Sequence, residues 1–83
     1  MPKIFDENGY RFFFYSNEGT PLEPVHVHVA KAGADAKIWV EPMIHVAGSD
    51  GLSPRELRAV VEIVILRRQE IEDAWNAHFA PGQ

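Results

Sequence analysis

The chain has 83 residues, 46% of them hydrophobic and 24% charged, with a formal net charge of -4 and no cysteine. That composition describes one small globular domain, whose core is thin because a chain this short buries only about 60 to 65% of its unfolded surface. It argues against a wholly basic nucleic-acid binder, a disulfide scaffold, a zinc ribbon, a disordered chain and a membrane-spanning one. Met-Pro-Lys-Ile-Phe-Asp at the start has no apolar signal-peptide core, so a cytoplasmic location is expected.

In chain order, Asp6-Glu7-Asn8-Gly9 supplies a turn between Ile4-Phe5 and the aromatic run Tyr10 to Tyr15, which reads as a first hairpin. Ser16 to Pro24, with Gly19, Pro21 and Pro24, reads as a loop. Val25 to Lys31 and Asp35 to Glu41 form two further strands around a turn at Ala32-Gly33-Ala34, and Pro42 ends the second strand or bends it into Met43 to Val46. Ser53-Pro54-Arg55-Glu56 then opens a helix with an N-cap serine, a proline at the first helical position and a glutamate at the third, flanked by Leu52 and Leu57 as a hydrophobic staple. Leu57, Val60, Val61, Val64, Ile71, Trp75, His78 and Phe79 share one face of that helix, and Pro81-Gly82 marks its stop.

The expected fold is α+β: a three- to four-stranded antiparallel sheet covered on one face by one long C-terminal helix. It forms a single domain over 1–83, with a sheet half (1–49) and a helical half (53–80). About 26 helical residues at 1.5 Å each run roughly 39 Å, more than a small sheet covers, so part of the helix should overhang or break. Ala59 to Leu66 is apolar nearly all round, with Ile63, Ile65 and Leu66 off the main face, while Arg68 projects into the stripe. Ile63, Leu66, Arg68, Trp75 and Phe79 are therefore the candidate interface to a protein partner or a second copy, set against the simpler reading of a deeply buried helix with a snorkelling arginine.

The distinctive stretch is Pro24-Val25-His26-Val27-His28-Val29. Strand alternation sends the valines one way, against the helix, and both histidines the other way, onto the open face. Ala36, Ile38 and Val40 likewise turn inward and Lys37, Trp39 and Glu41 outward, while the charge on Arg11 argues for Arg11, Phe13 and Tyr15 outward. Arg11, Lys37 and Trp39 make the candidate binding surface, where cations interleaved with rings suit RNA or a protein partner. Three roles stand open for His26 and His28. They can act as acid and base in RNA cleavage, with Lys37 or Arg11 steadying the phosphate; they can chelate a divalent ion, if Glu41 or His45 supplies a third ligand; or they make contacts at a partner surface. No cofactor motif occurs in the chain, and His45 and His78 read as structural.

Phe14 to Gly19, Glu23 to Val29, Ala36 to Pro42, Gly51 to Leu57 and Ala74 to Phe79 together resemble the small bacterial proteins grouped as domain of unknown function 4160. The resemblance implies a compact sheet-plus-helix domain, often encoded beside a second small protein in a pairing that looks like a toxin-antitoxin module. Its matching positions are His26, His28, Lys37, Trp39, Arg55, Glu56, Trp75 and Phe79. Many relatives carry a further histidine before the H-x-H strand, but here that loop reads Glu18-Gly19-Thr20-Pro21-Leu22-Glu23 and offers no third imidazole. The functional expectation is a small macromolecule-binding protein, one partner of a toxin-antitoxin-like two-gene module. A ribonuclease using His26 and His28, with or without a metal, and a structural homodimeric accessory protein are the alternatives.

Overall fold

The computed structural model describes residues 2–17 and 23–79. Five strands, β1 (Lys3–Glu7), β2 (Tyr10–Phe13), β3 (His26–Lys31), β4 (Ala34–Trp39) and β5 (His45–Asp50), precede two helices, α1 (Pro54–Leu66) and α2 (Arg68–Phe79). The strands form one antiparallel meander in the order β1-β2-β3-β4-β5. Two tight turns set its register. Asn8 and Gly9 have φ of 54° and 80°, and Ala32 and Gly33 have φ of 49° and 84°, the left-handed pairs whose twist matches that of a hairpin.

Alternation then decides the two faces. Phe12 pairs with Val29, Val29 with Ala36 and Val27 with Ile38; Ala36 is buried, and Phe12, Val27, Val29 and Ile38 share the core with Val60, Ile63, Val64 and Ile71. A one-residue slip of β3 would expose Val27 and Val29, both fully buried, at a cost of roughly 1.5 kcal/mol or more each. Arg11 lies on the open side, as its charge predicts, while Tyr10, Phe12 and Phe14 go into the core.

The sheet has five strands rather than three or four. Ala47-Gly48-Ser49-Asp50 has little β propensity, but as an edge strand β5 is held by its ladder to β4, and most of its side chains stay exposed. The helical half is two helices rather than one. Ser53 Oγ accepts from the Glu56 N–H at 3.1 Å and the Glu56 carboxylate accepts from the Ser53 N–H at 2.8 Å, so the capping box forms as read. The interruption falls at Arg67, with φ -111° and ψ 23°. Its guanidinium donates to Glu7 Oε1 at 2.9 Å, grips Glu70 through Nε and Nη2 at 2.8 and 2.9 Å, and lies 3.4 Å over the Phe5 ring. These contacts tie the junction to β1, while the backbone bonds from Arg67 N–H to Ile63 O at 2.9 Å and from Ile71 N–H to Arg67 O at 3.1 Å run on across it. Ile63 belongs to the core at 5% exposure, not off the main face, whereas Ile65 and Leu66 are 50% and 74% exposed. The loop residues 18–22 and the stop expected at Pro81-Gly82 lie outside the described residues. Among those described, no helix is long and apolar enough to cross a membrane.

Candidate functional site

The open face is built on β2, β3 and β4. His28 stands between Phe13 of β2 and Lys37 of β4, and His26 stands across from Trp39. Their rings join an aromatic array: Phe13 stacks on His28 at 5.7 Å and 26°, Tyr15 meets His28 at 4.5 Å, and the two imidazoles meet edge to face at 5.2 Å. Phe13 is almost wholly covered, although it lies on the open face, because Tyr15 and His28 lie against it.

The two histidines share a face but not an environment. His28 is half-buried, whereas His26 has no exposed surface, because α2 brings Trp75 to 5.0 Å on one side and Trp39 lies at 5.2 Å on another. Both imidazoles in the open is thus the expectation that fails, for His26. Its Nδ1 lies 3.0 Å from the Pro24 carbonyl oxygen, and since that oxygen can only accept, Nδ1 carries the proton and donates. Among the described residues no buried side-chain nitrogen or oxygen lacks a hydrogen-bond partner.

Lys37 is neither bare nor aimed at solvent alone. Its Nζ sits 4.3 Å from the centre of the Trp39 ring and donates to Glu23 Oε1 at 3.3 Å. Two hollows adjoin along this face, of about 390 and 270 Å³, and share Phe13, Tyr15 and Asp35 in their walls. Arg11 and Asp6 line the first, and His28 and Lys37 the second. The lining therefore alternates sign, with Asp6 and Asp35 among Arg11, Lys31 and Lys37.

Among the described residues no group of three or more histidines, aspartates or glutamates is placed to hold a metal ion. His45 is exposed beside Trp39 at the start of β5, with Nδ1 3.0 Å from the Met43 carbonyl oxygen, and Glu41 lies past the end of β4. Glu41 is engaged elsewhere. A hydrogen bond with Glu72 and then burial raise its carboxyl above the ordinary carboxylate range, with Arg68 opposing, while Arg68 donates to Glu72 at 3.0 Å.

The remaining sequence candidates separate by burial. Ile63 and Trp75 are core residues, Phe79 is half-buried against Trp75 and Phe14, and of the five interface candidates Leu66 is the most open. Glu56 serves the capping box, which holds its carboxyl below the usual range through the Ser53 backbone N–H. His78 is exposed at the helix end, with its ring against Phe79 and Phe14. Sequence reasoning missed Glu23 as the counter-charge of Lys37 and Trp75 as the cover of His26. Neither contact has a local signal, because each joins segments distant along the chain.

A five-stranded antiparallel meander packed against two helices, with an aromatic, mixed-charge hollow on its open face, defines a small α+β domain. A family model described as domain of unknown function (DUF4160) matches residues 9–76, and the chain belongs to that family. No curated protein and no solved structure matches the chain.

Proposed function

We propose that this protein is a protein-binding domain whose open sheet face receives a partner polypeptide, as one half of a two-gene, toxin-antitoxin-like pair. The observation that carries the reading is the alternation of charge around a hollow floored by rings. Asp6, Asp35 and Glu23 stand among Arg11 and Lys37, and Tyr15 remains 45% exposed at the shared wall. A polyanion gains little from cations that already have carboxylates beside them, and the lysine over Trp39 covers a face on which a base would stack. A polypeptide of mixed charge suits such a surface, with an exposed tyrosine as its anchor. The pairing with a second small protein rests on the family resemblance. Burial of His26 weighs against the acid-base reading, because an imidazole that must exchange a proton with a 2′-hydroxyl has to reach it.

The test is co-expression with the product of the adjacent gene, followed by affinity measurement. Arg11→Glu combined with Tyr15→Ala should weaken the complex at least about tenfold while leaving the chain folded, and Arg11→Glu alone, at an exposed position, should weaken it with the melting temperature nearly unchanged. Binding to the adjacent product that ignores both changes would count against this face. Salt-sensitive binding or cleavage of single-stranded RNA, lost in the same variant, would transfer the face to RNA.

A further inference from the structure

We infer that a second copy of this chain docks on the groove between α1 and β5, in a two-fold pair that sets the two α1 helices antiparallel. The groove, about 490 Å³, lies on the helical side of the sheet and is lined by Val46, Pro54, Leu57, Arg58, Val61 and Glu62. It exists because α1 turns Val60, Ile63 and Val64 into the core and leaves Leu57 and Val61 on the flank that overlooks the edge strand. Pro54, Arg58, Val61 and Ile65 follow one another at helical spacing along that flank, and Ile65 is 50% exposed one turn beyond the groove. Leu66 lies about 100° further round and off the stripe.

The occupant follows from the symmetry of this pattern. Leu57 and Ile65 each stand four residues from Val61, so a two-fold axis near Val61 lays Ile65 of each copy over Leu57 of the other. Arg58 and Glu62 straddle nearly the same point, and the same axis brings each arginine to the other copy's glutamate. The pattern is complementary to itself in charge and in the spacing of its apolar residues, which an unrelated partner does not require. β5 borders the groove as the sheet's edge, but its register skips from Val46 to Gly48 against Ile38 and Lys37. That bulge at Ala47 twists the edge away from continuous pairing, so side chains of the groove hold the contact rather than a shared ladder.

Sedimentation equilibrium on the full chain should find a dimer of twice the 9.4 kDa protomer mass. Arg58→Glu and Glu62→Arg each put like charges face to face at both ends of the axis and should weaken dimerisation at least about tenfold. An equimolar mixture of the two variants restores both opposite-charge contacts and should recover near-native association. The repulsion that each change creates within its own helix persists in the mixture, so it cannot produce that recovery. A protein that is monomeric at every concentration overturns the inference, as does a dimer indifferent to both reversals or a mixture that fails to recover. If circular dichroism shows that a reversal unfolds the chain, Ile65→Asp at its half-exposed position decides the matter: a dimer that survives it overturns the inference, and its dissociation into folded monomers upholds it. None of these positions lies on the open sheet face, so the outcome is independent of the partner reading above.

Discussion

Replacing His26 by Ala should destabilise the protein far more than the same change at His28, although both residues stand on one strand face. His26 is fully buried, its ring lies within 5.2 Å of those of Trp39, His28 and Trp75, and it donates to the Pro24 carbonyl. Deleting a buried ring and leaving a cavity typically costs about 3 kcal/mol or more. Stranding the carbonyl adds about 1 kcal/mol, less where water replaces the donor. For a small domain whose total stability is roughly 5 kcal/mol or a little more, that is most of it, and the melting temperature should fall by more than about 10 °C. His28 is half-exposed, with Phe13, Tyr15 and His26 beside its ring, so His28→Ala should cost less, about 1 kcal/mol. Urea unfolding followed by tryptophan fluorescence measures both, because Trp39 and Trp75 flank His26. A cost below about 1 kcal/mol for His26→Ala, or a larger cost for His28→Ala, would refute the assignment of His26 to the packed structure.

Ala32→Asn should stabilise the β3-β4 turn by about 1 kcal/mol, because Ala32 holds φ of 49° and asparagine tolerates that region better; an unchanged or lower denaturation midpoint would oppose this. Glu41 carries the pH prediction. Its folded-state carboxyl is held above the ordinary value of 4.5, first by the hydrogen bond with Glu72 and then by burial. The stabilisation due to its protonated form is therefore fully present below 4.5 and lost as pH rises through the raised folded value. Glu41→Gln removes that loss, so the variant should melt higher than the unmodified protein near neutrality, with an advantage that shrinks on acidification towards pH 4.5; an advantage that grows instead would reverse the sign of the argument.

The sequence alone determined whatever depends on neighbours in the chain. Alternation in Val25 to Val29 sends the valines to the helices, Asn8-Gly9 and Gly33 favour left-handed turns, and Ser53 to Glu56 builds a cap from four consecutive residues. Each follows from backbone geometry within a few positions, which is why the two sheet faces and the start of α1 could be read directly. Tertiary structure decided the rest. Edge pairing, rather than β propensity, makes a fifth strand of His45 to Asp50, and the helical half divides at Arg67, where the side chain reaches Glu7, 60 residues away. The same holds at the open face, where Glu23 neutralises Lys37 and Trp75 closes over His26. Periodicity names the face on which a side chain lies; what covers it there depends on which distant segment the folded chain brings alongside.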